Sequence, residues 1–96
     1  MSRLTFEWDP KKAAGNLRKH RVSFEEAVSV FRDALARIHD NPAHSVSESR
    51  EIIVGHSDRG RLLLVAFVER KERVRVISAR RATRLERKDY EENRER

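Results

Sequence analysis

In Ile77-Ser78-Ala79-Arg80-Arg81-Ala82-Thr83 an apolar, alternating strand gives way to a basic helix. Thr83 and Glu86 have the spacing of a capping box, so a terminal helix starts there, with Leu85 as its strong aliphatic anchor and Tyr90 beside it. The tail after Glu92, residues 92–96, is expected to fray. Upstream, Arg73 to Ala79 reads as the last strand. Strict alternation places Val74, Val76 and Ser78 on one side and Arg73, Arg75 and Ile77 on the other. Valines turned to a core leave Arg73 and Arg75 on an open face, followed by Arg80 and Arg81 at a helix start. Unpaired backbone N–H groups and the positive end of the helix dipole make such a start a natural place for phosphate.

Charge follows the same division. Of the net +6 over 96 residues, residues 1–69 contribute +1, residues 70–88 contribute +7 and residues 89–96 contribute –2. Arginine outnumbers lysine 17 to 5, and its planar fork suits bidentate contacts to phosphate or carboxylate. Nucleic acid is therefore the first partner to consider and an acidic protein surface the second.

Working back along the chain, Leu62 to Val68 is apolar on both faces and reads as a central strand. His56-Ser57-Asp58-Arg59-Gly60 is a hairpin loop joining it to a strand over Arg50 to Gly55. Ala34 to His39 reads as another strand, followed by turn chemistry from Asp40 to Ser45. Ser23 and Glu26 have capping-box spacing, Val22 can staple onto Ala27, and Phe24, Ala27, Val28 and Phe31 recur on one helical face as core. Asp9-Pro10 starts the first helix, whose apolar stripe is Ala13, Ala14 and Leu17 and which ends near His20. Leu4 to Trp8 is a short first strand. The order β-α-α-β-β-β-β-α predicts an α+β fold: a small antiparallel sheet with helices on one face, in one domain spanning residues 1–96.

With no cysteine, disulfides and thiolate metal sites are excluded, and a reducing compartment is the expectation. No signal-peptide core or membrane-length apolar run is present, so the sequence predicts a cytoplasmic protein with no membrane partner. His39, Asp40, His44 and His56 match no zinc spacing, and neither a metal nor another cofactor is expected. There is no glycine-rich phosphate loop and no G-x-S-x-G. What the sequence offers is His20, in a run of cations that includes Lys19, and Glu48 bracketing a strand start with Arg50. Either His20 or Glu48 suits a general base. Arg50, Arg80 and Arg81 are the candidate charge stabilisers, while Lys19, Arg73, Arg75, Arg84 and a stacking Tyr90 are candidates for gripping a nucleic acid.

Taken in register, several stretches resemble the BrnT toxins of bacterial type II toxin–antitoxin systems. They are Phe6-Glu7-Trp8-Asp9, Asn16-Leu17-Arg18-Lys19-His20, Val22-Ser23-Phe24-Glu25-Glu26-Ala27, His44-Ser45, Glu48-Ser49-Arg50 and Ile77-Ser78-Ala79-Arg80. The resemblance runs from Phe6 to about Glu91. It implies a RelE-like fold, a ribonuclease that arrests translation, and neutralisation by a BrnA-type antitoxin. DNA would then be met only through a toxin–antitoxin hetero-oligomer. A metal-independent endoribonuclease, with the ribose 2′-OH attacking the adjacent phosphorus, is the expected activity. The alternative is a non-catalytic basic subunit that binds nucleic acid or antitoxin within a repressor complex. The chain departs from the family in carrying Arg21 where glycine is usual, and His56 where a small or apolar residue is more often found.

Overall fold

The computed structural model describes residues 4–40 and 50–93. Strand β1 (Thr5–Glu7) leads to helix α1 (Pro10–His20) and helix α2 (Phe24–Ser29), which runs into a 3₁₀ turn over Val30–Arg32. Strands β2 (Arg37–Asp40), β3 (Arg50–His56), β4 (Leu62–Arg70) and β5 (Arg73–Arg81) follow, and helix α3 (Arg84–Asn93) closes the fold. The expected order of elements is the observed one. The five strands lie in the order β1-β5-β4-β3-β2. Strands β2 to β5 form an antiparallel meander, while β1 lies parallel to β5, so the sheet is mixed.

One side of the sheet carries the core. Val22, Phe24, Ala27 and Val30 pack onto Ile53, Leu63, Val65, Phe67, Val74, Val76 and Ala79. Phe6, Phe31 and Phe67 meet in consecutive ring contacts with centroids 5.0 Å apart, and Trp8 sets its edge against Phe24 at 5.9 Å. The aromatics of α2 are thus core, as their spacing predicts. Helix α3 does not join this layer. It stands over Ile52, Val54 and Leu64, which alternate with the core residues and face the other way, so the helices cover both faces rather than one. The helix is held there by Tyr90, which is 4% exposed and donates its hydroxyl to the Leu35 carbonyl at 3.0 Å, while Leu85 is 79% exposed. The anchor is therefore Tyr90 and not Leu85: about three turns of charged sequence cannot be pinned by a side chain that meets no wall, and the aromatic reaches one.

Helix α1 starts as its sequence dictates. Asp9 Oδ1 accepts the Lys11 N–H at 2.8 Å, and Pro10 occupies the first turn. Its inward stripe differs from the apolar one: Leu17 is 49% exposed and Ala14 is exposed, whereas Asn16 is buried. The helix ends at Arg21 in the left-handed region (φ 60°, ψ 32°), with its N–H donating to the Leu17 carbonyl at 2.9 Å. The left-handed stop that glycine gives freely is thus kept here by arginine, at a steric cost of about 1 kcal/mol. At α2, Ser23 Oγ accepts the Glu26 N–H at 3.0 Å, but the Glu26 carboxylate does not close the box. It turns instead to Arg61 and Ser57, a stronger, charge-assisted set of partners.

The second strand begins at Arg37 rather than Ala34. Asp33 Oδ1 accepts the Leu35 N–H at 2.9 Å and the Asp33 carbonyl accepts the Ala36 N–H at 3.1 Å, which folds Asp33–Ala36 into a turn. That turn presses on Gly55. A Cβ built at Gly55 would lie 2.8 Å from Ala36 Cβ, 3.0 Å from Asp33 Oδ2 and 3.1 Å from Val30 Cγ1. Gly55→Ala is expected to cost about 1–3 kcal/mol by overpacking, read as a lowered midpoint of urea unfolding at unchanged slope.

Candidate nucleic-acid interface on the open face

One irregularity in β5 decides the composition of the site. Phe67 pairs with Val76 and Ala66 with Ser78, which leaves Ile77 as an extra residue in a β-bulge. The bulge reverses the alternation beyond it. Val74, Val76 and then Ala79 turn into the core, so Ser78 does not follow the valines as strict alternation predicts. Arg73, Arg75, Ser78 and Arg80 share the face of Arg70, Val68, Ala66 and Leu64, opposite which they are respectively paired. Arg81, opposite Leu63, is on the helical side. Without the extra residue, Arg80 would point at the core and Arg81 at the open face.

Cross-strand register extends this face. Arg50 pairs with Val68, and Arg37 and His39 stand opposite Val54 and Ile52. The open face therefore carries Arg37, His39, Arg50, Arg73, Arg75 and Arg80 around an aliphatic floor. Two of its cation sets are pre-arranged by carboxylates. Glu7 on β1 reaches Arg73 at 3.3 Å and Arg75 at 3.4 Å, long contacts between largely exposed groups that a phosphate can displace. Glu86 grips Arg80 more firmly, with Nη1–Oε1 and Nη2–Oε2 both at 2.8 Å.

Glu86 also accepts the Thr83 N–H at 2.8 Å while Thr83 Oγ1 accepts the Glu86 N–H at 3.1 Å, so the second capping box is complete. Thus one carboxylate fixes both the start of α3 and the guanidinium of Arg80. The Arg80 bond and the Thr83 backbone donor hold the Glu86 carboxyl down at about 2, and Glu86 in turn raises Arg80. Arg80 keeps its charge at any working pH. Of its five N–H donors, contacts to Glu86 and to the Arg81 carbonyl occupy three, and two remain for an incoming phosphate.

The remaining candidates divide. His20 and Lys19 end α1, the helix that Asn16 ties to β5 at Ala79. Among the described residues no hydrogen bond or ion pair joins His20 to the open-face arginines. Arg84 is exposed on the first turn of α3. Tyr90 is not a stacking platform: its ring is buried, packs edge-on against His56 at 5.7 Å, and its hydroxyl is engaged by Leu35. Glu48 and His44 lie outside the described residues.

Two polar constellations that sequence reasoning missed hold the layers in place. Asn16 Nδ2 donates to the Val22 carbonyl at 2.9 Å and to the Ala79 carbonyl at 2.8 Å, and its Oδ1 accepts the Ala79 N–H at 3.1 Å. Its amide substitutes for a neighbouring strand along β5 beyond the end of β1. The signal was an amide set on the helical stripe between Ala13 and His20. Glu26, also buried, accepts from Ser57 Oγ at 2.7 Å and Arg61 Nε at 2.9 Å, with a second Arg61 contact to Oε1. These partners, Arg61 above all, hold its carboxyl below the ordinary range despite burial. Arg61 also donates to the Arg21 carbonyl at 3.1 Å, tying the left-handed joint to β4.

Comparison with known proteins agrees with this geometry. A family model described as "Ribonuclease toxin, BrnT, of type II toxin-antitoxin system" matches residues 8–86. Among solved structures, the 1.1 Å crystal structure of the Brucella abortus ribonuclease toxin BrnT superposes with a TM-score of 0.63 at 20% identity. The match covers 88% of this chain and 100% of that one, and at this identity it speaks for the fold. No curated protein matches.

Proposed function

Because this chain belongs to the BrnT family of ribonuclease toxins of type II toxin–antitoxin systems, we propose that its open sheet face binds RNA and cleaves it without a metal ion. The observation that carries this reading is the bulge at Ile77, which sets Arg80 beside Arg75 and Arg73 and across the floor from Arg50 and Arg37. A row of fixed guanidinium groups does two things to a phosphodiester. It holds the backbone by displacing counterions, and it stabilises the extra negative charge that develops on phosphorus when a fifth oxygen approaches.

In this scheme the ribose 2′-OH gives up its proton and attacks the adjacent phosphorus in line, and the P–O5′ bond breaks. A 2′,3′-cyclic phosphate and a 5′-hydroxyl result, and the 5′ oxygen takes up a proton as it leaves. Arg80 and Arg50 face the charge that develops. Arg73 and Arg75 grip the flanking phosphates, with Glu7 displaced. For the base we assign Glu48, two residues before Arg50 in the chain, over His20, which no hydrogen bond or ion pair among the described residues links to these arginines. Lys19, Arg81 and Arg84 extend the positive field towards the flanks of the RNA. The cellular consequence of such cleavage is translation arrest. The antitoxin partner is of BrnA type, and DNA is reached only through the toxin–antitoxin complex.

The discriminating experiment is incubation of purified protein with total RNA in excess EDTA. Cleavage at a rate within about twofold of that without chelator is expected. Cleavage abolished by EDTA would remove the metal-free scheme. Binding of RNA with no cleavage under either condition would favour the non-catalytic repressor subunit instead.

A further inference from the structure

The contact between Arg80 and Glu86 leaves one particular edge of the arginine open. Glu86 takes the end of the guanidinium, with Nη1 donating to Oε1 and Nη2 to Oε2, both at 2.8 Å, and Nη1 also donates to the Arg81 carbonyl at 3.3 Å. The donors without a partner among the described residues are therefore Nε–H and the outer hydrogen of Nη2. In a planar guanidinium these two lie side by side and point the same way, a spacing that matches two oxygens of one phosphate. We infer that Glu86 is a positioning residue for RNA cleavage: it clamps Arg80 by one edge and so presents the other as a fixed two-pronged donor to the scissile phosphate. The inference rests on the ribonuclease reading and names the residue that sets Arg80 apart from its neighbours on the face.

Other arginine–carboxylate pairs in the molecule are arranged differently. Arg61 gives its Nε–H and Nη2 donors to Glu26, with a further Nη2 bond to the Arg21 carbonyl, so the edge that would meet a phosphate is filled. Arg73 and Arg75 each make one long bond to a separate oxygen of Glu7, at 3.3 and 3.4 Å, which does not fix the plane of either guanidinium. Arg80 combines a held edge with an open one, on a side chain that is 42% exposed. The clamp is itself mounted. Glu86 accepts the Thr83 N–H at 2.8 Å and donates its own N–H to Thr83 Oγ1 at 3.1 Å, which fixes the carboxylate on the first turn of α3. Its negative charge cancels much of the Arg80 field that RNA meets on approach. A donor pair already in orientation, however, needs no reorganisation when charge grows on the phosphate. Glu86 therefore acts on the rate of cleavage and not on the grip.

Glu86→Gln separates the two jobs of the carboxylate. The amide oxygen still accepts the Thr83 N–H, so the helix keeps its cap, but the NH₂ group cannot accept the second Arg80 bond and the charge is gone. Single-turnover cleavage is expected to fall about tenfold or more, while RNA affinity holds or tightens by up to about threefold. Thr83→Ala keeps the backbone donor and removes only the hydroxyl acceptor; it should lower the unfolding midpoint and leave cleavage within about twofold. NMR of the Arg80 guanidinium reads the clamp without substrate: separate Nη–H signals are expected in the native protein and in Thr83→Ala, and averaged ones in Glu86→Gln. Cleavage by Glu86→Gln within about twofold of the native rate would overturn the role while leaving the ribonuclease reading intact. A rate lost in step with RNA affinity would also overturn it, as would Thr83→Ala losing as much rate as Glu86→Gln. A native protein that cuts no RNA would overturn the ribonuclease reading and this role with it.

Discussion

Replacing Asn16 by aspartate is expected to remove about 4 kcal/mol of stability, a large share of the roughly 5–15 kcal/mol that holds a domain of this size. The amide uses both donors and its acceptor on three backbone groups, and it does so in a buried setting. A carboxylate cannot donate, so the Val22 and Ala79 carbonyls would face like-charged oxygen at hydrogen-bond distance. Alanine leaves the same three groups unsatisfied without adding charge, at about 3 kcal/mol in total. The difference between the two variants should shrink as the pH is lowered from 7 towards 4. Burial disfavours the charged form, so the introduced carboxyl would titrate above its unfolded value, and its penalty fades once it is protonated. Urea unfolding of both variants at two pH values checks the order. A loss below about 1 kcal/mol in both would mean that Asn16 is not the staple described.

Arg80→Ala is expected to lower single-turnover RNA cleavage by about 100-fold or more while RNA affinity falls by no more than about threefold. The asymmetry follows from position. Arg73 and Arg75 lie on the same face and continue to hold the backbone, whereas Arg80 is the guanidinium that a carboxylate fixes in place. Loss of that pre-set charge is felt where charge develops, in the transition state. Arg80→Lys should recover only part of the rate, because an ammonium cannot be held by two parallel bonds to Glu86 and still offer a planar pair of donors. Equal losses of rate and affinity would instead make Arg80 one more backbone contact.

Much of this architecture is written in local patterns. Asp9-Pro10, Ser23 and the Thr83/Glu86 pair start their helices where the sequence says, because each is a contact within three residues. The central strand is legible because Leu62 to Val68 is apolar on both faces, and both faces are indeed covered in part. What escapes is whatever depends on distant partners. The bulge at Ile77 leaves no mark in a run that alternates well up to Val76, and it alone moves Arg80 to the open face and Arg81 away from it. Asn16 reads as a polar residue until the edge of β5 is placed beside it. Glu26 fits a capping box by spacing, and only Arg61, 35 residues on, draws it elsewhere. The side of the sheet that α3 takes is decided by Tyr90 meeting Leu35, a contact across 55 residues.

The claim that the arginine-lined face cleaves RNA through the ribose hydroxyl is tested most directly on a single substrate position. An RNA oligonucleotide cut by the native protein would be compared with one carrying a 2′-deoxy nucleotide only on the 5′ side of the scissile bond. The account predicts no detectable cleavage of the substituted oligonucleotide at that bond, equal binding of the two, and a 2′,3′-cyclic phosphate on the product of the natural one. Cleavage of the 2′-deoxy substrate at a comparable rate would contradict it.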